Sequence, residues 1–173
     1  MSYYSKLLSI LLLAGLSAHA YAIDGYQNMK FGSSFAQIKD QAKCTLGSPQ
    51  SVEIGKMYAC NDFTFEGIST TANFFFAGDK FIRLGIRVPI DNLADTLNGL
   101  SDKYSTSAVP TTEQIEAVRE NPNQSVAFQF DKGNVVLYYA SDAGGDTSAV
   151  LMYSADNAEA LQKALGDEIK KDL

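Results

Sequence analysis

Two cysteines, one histidine and several turn-borne carboxylates are the residues of this sequence best suited to chemistry. Cys44 and Cys60 are its only thiols. Their spacing is not Cys-x-x-Cys, and no histidine or third cysteine stands ready to complete a zinc set. In an oxidising compartment such a pair predicts one disulfide, worth about 3 kcal/mol on the chain-entropy account. The only histidine, His19, lies in an N-terminal segment expected to be removed. Without it there is no imidazole for Ser-His-Asp or Cys-His nucleophilic catalysis, or for metal ligation. Carboxylate-pair hydrolysis remains open. Its candidates Asp131, Asp142 and Asp146 fall in turns, where carboxylates ordinarily cap backbone amides or face water. Asp142-Ala-Gly-Gly-Asp146 offers two carboxylates, only part of the six or more oxygens that calcium takes, outside the twelve-residue loop pattern, and reads as a hairpin tip. No phosphate-cradling glycine pattern occurs, and Asn123-Gln124-Ser125 is a glycosylation sequon. The chain is expected to need no cofactor or metal and to be no enzyme.

The N-terminal segment reads as a secretory leader, residues 1–22. Lys6 precedes an apolar run from Leu7 to Leu16, which is too short to cross a hydrocarbon core of about 30 Å. Ala18-His19-Ala20 and Ala20-Tyr21-Ala22 both suit a signal peptidase, and the second places the mature start at Ile23. No lipidation cysteine follows. The rest, 23–173, is expected to be one exported domain, periplasmic or secreted, with no membrane span. Losing Lys6 takes Lys+Arg from 14 to 13 against 20 acidic residues, a net charge of −7. Residues 23–88 carry seven basic and six acidic side chains, whereas residues 89–173 carry six and fourteen. Such an acidic half disfavours nucleic acid and would draw in a basic protein.

The elements that must position these residues can be traced along the chain. Ser34 and Gln37 have capping-box spacing ahead of a helix whose inward face is Phe35, Ile38 and Ala42, ending by Gly47 and Pro49. Cys60 lies in a strand over 58–65, so the disulfide would tie helix end to sheet. A hairpin follows over 70–76 and 81–88, with Ile82, Leu84, Ile86 and Val88 alternating against Phe81, Arg83, Gly85 and Arg87. Asp91 is expected to cap a second helix with the stripe Leu93, Leu97, Leu100 and Tyr104. After a polar loop over 105–112 come a short helix over 113–120, strands over 126–130, 135–140 and 149–153, and a last helix capped by Asp156 and Glu159. Phe74-x-Phe76 and Phe81-Ile82 echo Phe128-x-Phe130 and Val135-Val136 at a displacement of 54 residues. The domain therefore divides into candidate halves, 23–88 and 89–173. The fold class is α+β, an antiparallel sheet flanked by helices.

Phe74-Phe75-Phe76 and Tyr138-Tyr139 place aromatic rings on both faces of their strands, so either both faces are covered or one displays an aromatic patch. The run Phe31-Gly32-Ser33-Ser34-x-x-Gln37-Ile38 and the ending Leu46-Gly47-x-Pro49 resemble the opening helix of SmpA/OmlA-type envelope proteins. The arrangement is also similar to beta-lactamase-inhibitor-protein-like domains. The resemblance covers 29–88, with a fainter second copy over 90–154. It implies helix-then-antiparallel-sheet units, often in tandem, with a disulfide joining helix end to strand. SmpA/OmlA proteins are lipoproteins, and this chain lacks the lipidation cysteine.

The resulting expectation is an exported protein-binding module of the inhibitor or immunity kind. It would occlude a cationic secreted hydrolase or toxin through Phe75, Tyr138, Tyr139, Asp142 and Asp146. The alternative is a periplasmic envelope-assembly accessory without inhibitory action.

Overall fold

The computed structural model describes residues 23–156. The leader and the expected last helix lie outside the described residues. Among those described, no helix is long and apolar enough to cross a membrane.

The structure is mixed α+β and mostly antiparallel sheet. A two-stranded ribbon, β1 (Gly25–Tyr26) and β2 (Met29–Lys30), precedes helix α1 (Phe35–Gln41). Strands β3 (Gln50–Val52), β4 (Gly55–Phe65), β5 (Ile68–Ala77) and β6 (Lys80–Val88) follow as a meander. Helix α2 (Leu93–Lys103), strand β7 (Thr106–Ala108), helix α3 (Thr112–Glu120) and strands β8 (Ser125–Phe130), β9 (Val135–Ser141) and β10 (Thr147–Ser154) complete it. The eight long-sheet strands stand in the order β3-β4-β5-β6-β10-β9-β8-β7. Two four-strand meanders thus meet at their last strands, β6 beside β10. The echo at 54 residues equates β5-β6 with β8-β9, but the first pair reaches the centre of the sheet while the second stops one strand short of it.

Local chemistry explains most element boundaries. The Ser34–Gln37 capping box forms, and a second one, Thr111 with Gln114, opens α3. Helix α1 ends earlier than expected, at Gln41, because Lys43 enters the left-handed region at φ 49°. Asp91 does not cap α2. A short 3-10 turn over Ile90–Asn92 intervenes, and Asn92 holds the cap position without a side-chain bond. The polar loop after α2 contains β7, a three-residue edge strand too short and too polar to show alternation.

One side of the sheet is the core. A single row across six strands runs Tyr58, Phe74, Leu84, Tyr153, Val135 and Phe130. Cys60, Ala72, Ile86, Leu151, Leu137 and Phe128 form the row beside it. Ile38 of α1, Leu100 of α2 and Val118 of α3 are buried in the same cluster, so all three helices pack on this side. Burying rings such as Phe74 and Phe81 at this density stabilises the fold by about 1.5–3 kcal/mol per side chain. Cys44, just beyond α1, is bonded to Cys60 on β4, their Cα atoms 6.2 Å apart. That bond fixes the end of α1 against the sheet, as its spacing led us to expect.

Candidate functional site: the open face of the sheet

The other face of the sheet is built by the intervening residues of the same strands. One row reads Ala59, Asn73, Gly85, Met152, Val136 and Gln129. Flanking it are Met57, Phe75, Arg83 and Ser154 on one side, and Arg87, Val150, Tyr138 and Ala127 on the other. Most of these side chains are half-buried, Arg87 is exposed, and Tyr138 is 46% exposed. Among the described residues no helix lies over this face.

A bulge shapes one end of it. The register slips between Phe75 and Phe76 where β5 meets β6, so Phe81 turns to the core and Ile82 to the open side. Simple alternation had put Phe81 with the arginines. Ile82 is 1% exposed and packs with Ile54 and Ala77 in a small second cluster, against which Phe75, Val52 and Ala155 lean. Farther along β6, Gly85 leaves a gap into which neighbouring side chains settle. A Cβ there would lie 3.2 Å from the Met152 methyl and 3.8 Å from the Phe75 ring. Next to it is a depression of about 460 Å³ lined by Arg83, Lys132, Asn134, Tyr138, Met152 and Asp156. Arg83 is held in place there, its Nε donating to Ser154 Oγ at 3.0 Å.

The electrostatics of this face are one-sided. Of the eight sheet strands only β4 carries an acidic residue, Asp62. Asp62 sits at a bulge, where its carboxylate accepts from the Thr45 amide at 2.9 Å and the Thr45 hydroxyl at 3.1 Å. The Thr45 amide bond is the main reason its pKa is lowered from the ordinary aspartate value. The acidic side chains of the second half project instead from α2 and α3, among them Asp95, Asp102, Glu113, Glu116 and Glu120, and from loops. The strands therefore give the open face apolar, aromatic and cationic side chains, with Asp156 at the edge of its depression, while the acids of α2 and α3 lie on the helix side.

Against this geometry the expected binding residues separate. Phe75 and Tyr138 share the open face, three strand spacings or about 14 Å apart across the sheet and four residues or about 13 Å apart along the strands. Tyr139 is turned into the core, 3% exposed, and cannot meet a partner without unfolding its surroundings. Asp142 is a turn cap: its carboxylate accepts from the amides of Gly144 at 2.8 Å and Asp146 at 3.0 Å. Asp146 occupies the same exposed hairpin tip, which lies beyond the strand ends. Sequence reasoning missed Val136, Val150, Met152 and Gln129 on this face. Their signal was strict alternation with Leu137, Leu151, Tyr153 and Phe128. The alternation of β6 places Arg83 and Arg87 on one face, and the structure adds both to the site.

A second cavity, about 410 Å³, lies on the helix side between β1, α2 and the sheet, lined by Tyr26, Glu66, Thr96, Lys103, Tyr104 and Tyr153. Its polar groups serve one another. Thr96 donates to Glu66 at 3.2 Å, and the Tyr26 and Tyr153 rings pack at 5.0 Å. Burial is the chief cause that pushes the Tyr153 phenol far above its ordinary range, with Tyr104 beside it adding to the shift. Cys44, Cys60 and Asp62 also converge, but both sulfurs are consumed by the disulfide.

Residues 26–172 match a protein-family model described as "Uncharacterised protein". The chain is also 32% identical over 170 residues to an uncharacterized protein of Haemophilus influenzae, covering 97% of this chain and 98% of that one. No solved structure matches. A match of this extent places the chain in the family that the model over 26–172 defines.

Proposed function

We propose that the chain is an exported protein-binding module that acts by covering a partner with the open face of its sheet. One observation carries the reading: Phe75, Val136, Tyr138, Val150 and Met152 lie together with Arg83 and Arg87 on a face to which the strands contribute no acidic side chain in these rows of the sheet, with Asp156 at the edge of its depression. Aromatic and arginine side chains bury much area with defined geometry, and apolar surface rimmed by charge is typical of a binding patch. Removal of His19 with the leader, leaving no imidazole, supports contact rather than turnover. The inhibitor or immunity role remains the preferred form of this proposal, and envelope-assembly accessory is the alternative.

The charge pattern revises the kind of partner. A cationic protein would be drawn to α2 and α3, where the acids are, whereas the open face suits a surface that presents carboxylates among apolar groups. A secreted hydrolase with an acid-lined cleft is such a surface. The test is affinity for the captured partner. Tyr138→Ala should weaken binding by tenfold or more, and Arg83→Glu with Arg87→Glu by more than that, while the melting temperature stays nearly fixed. Unchanged affinity for both variants would remove the open face from the reading.

A further inference from the structure

The N-terminal segment crosses the covered side of the sheet as a strap. Near its far end the Gly32 amide donates to the Phe81 carbonyl at 2.7 Å, and the Phe81 amide donates to the Ser33 carbonyl at 2.9 Å. In the middle the Tyr26 ring packs at a tilt against Tyr153 and approaches Phe63. At its near end the Ile23 side chain packs on the core, and the Ile23 nitrogen donates to Asp131 Oδ2 at 2.9 Å, across 108 residues of sequence.

Asp131 is an unusual partner. It is only 7% exposed, in the turn between β8 and β9, where both it and Lys132 hold positive φ, 47° and 57°. Consecutive left-handed residues persist only when the surroundings impose them. Here the Asp131 amide donates to the Ser105 carbonyl at 2.8 Å, and the Lys132 amide to the Ser107 hydroxyl at 2.9 Å. The turn thus aims a buried carboxylate at Ile23. Among the described residues the one ion pair is Lys30 with Asp24, so none of the described side-chain cations neutralises Asp131. A carboxylate withdrawn from water needs a charge partner, and a neutral amide supplies only part of it.

We propose that leader removal between Ala22 and Ile23 supplies that charge, so that the new α-ammonium of Ile23 is the counter-ion of Asp131 and latches the strap to the sheet. The proposal rests on the leader reading. Hydrolysis of the Ala22–Ile23 bond by a leader peptidase consumes one water. The carbonyl carbon gains the hydroxyl and departs with the leader as a carboxylate, and the nitrogen takes up protons to become an ammonium. Ile23 thereby passes from one neutral donor to a cation with three, and the processed chain is held more firmly than the precursor. The same geometry selects between the two leader sites, because cleavage after Ala20 would leave Tyr21 and Ala22 in front of the nitrogen that Asp131 holds.

The experiment has two readouts on exported protein. Its mass should correspond to a start at Ile23. A start at Tyr21 would overturn the latch while leaving export intact, and an unprocessed chain would overturn the leader reading itself. Thermal unfolding should then show the authentic Ile23 start melting about 5 °C above a chain that keeps Ala22 as its first residue, since that residue moves the ammonium about 3.8 Å away. In an Asp131→Asn background the two chains should melt together. Acetylating the Ile23 amine, which needs no substitution, should reproduce the loss if Asp131→Asn does not fold. Equal melting of the Ile23 start, its Ala22-retaining form and its acetylated form would contradict the latch.

Discussion

The two faces of one sheet obey different rules here, although they are made from alternate residues of the same strands. On the covered face, Phe74, Leu84, Leu137 and Leu151 are each 0% exposed, and helices close over them. On the open face, Asn73, Arg83, Val136 and Met152 remain half-buried, and among the described residues no helix answers them. A sheet face that only needed solvation would be polar throughout. This one keeps valine, methionine, phenylalanine and tyrosine beside two arginines, a composition that solvation does not require. The contrast separates residues kept for folding from residues available for contact.

Adjacent tyrosines give the sharpest way to break that contrast. Tyr139→Ala should cost about 3–5 kcal/mol in denaturant unfolding, because it empties a packed site. Tyr138→Ala should cost less than about 1 kcal/mol in the same assay and act on partner affinity instead. Comparable losses from both would mean that the open face is also core. Next in size is the disulfide. Cys44→Ser with Cys60→Ser should lower stability by about 3 kcal/mol, because a 16-residue separation is released. Its effect on affinity should be small, since Cys60 faces the covered side. Asp142→Ala should cost about 1 kcal/mol by stripping two turn amides of their acceptor, and should leave affinity unchanged, in contrast to Tyr138. Smallest is Asp62. Its bonds to Thr45 lower its pKa, so its contribution is complete above the unfolded aspartate value of about 4 and is lost as pH falls through the lower folded value. Asp62→Asn should flatten the stability profile in that acid window and nowhere else.

Much of this contrast was legible in the chain itself. The alternation over 83–88, the capping box at Ser34 and the pairing of Cys44 with Cys60 are local signals, set by period and spacing, and the structure carries all three, whereas the alternation expected at Phe81 and Ile82 fails. What escaped was non-local. The bulge that sends Ile82 to the open side arises from pairing with β5, which β6 alone does not encode. Whether Tyr138 or Tyr139 faces the helices depends on where α2 and α3 land, a matter of packing rather than alternation. The acid excess of the second half was countable, but its confinement to helices and loops appears only once the strands are assigned. The same holds for Ile23 and Asp131, whose meeting across 108 residues has no sequence signature.

The most direct measurement is cross-linking of the captured partner from single photo-reactive positions on each side of the molecule. Partner adducts are expected from positions 138 and 150 on the open face and none from 102 and 116 on the acidic helices. Adducts confined to the helix positions would contradict binding through the open face.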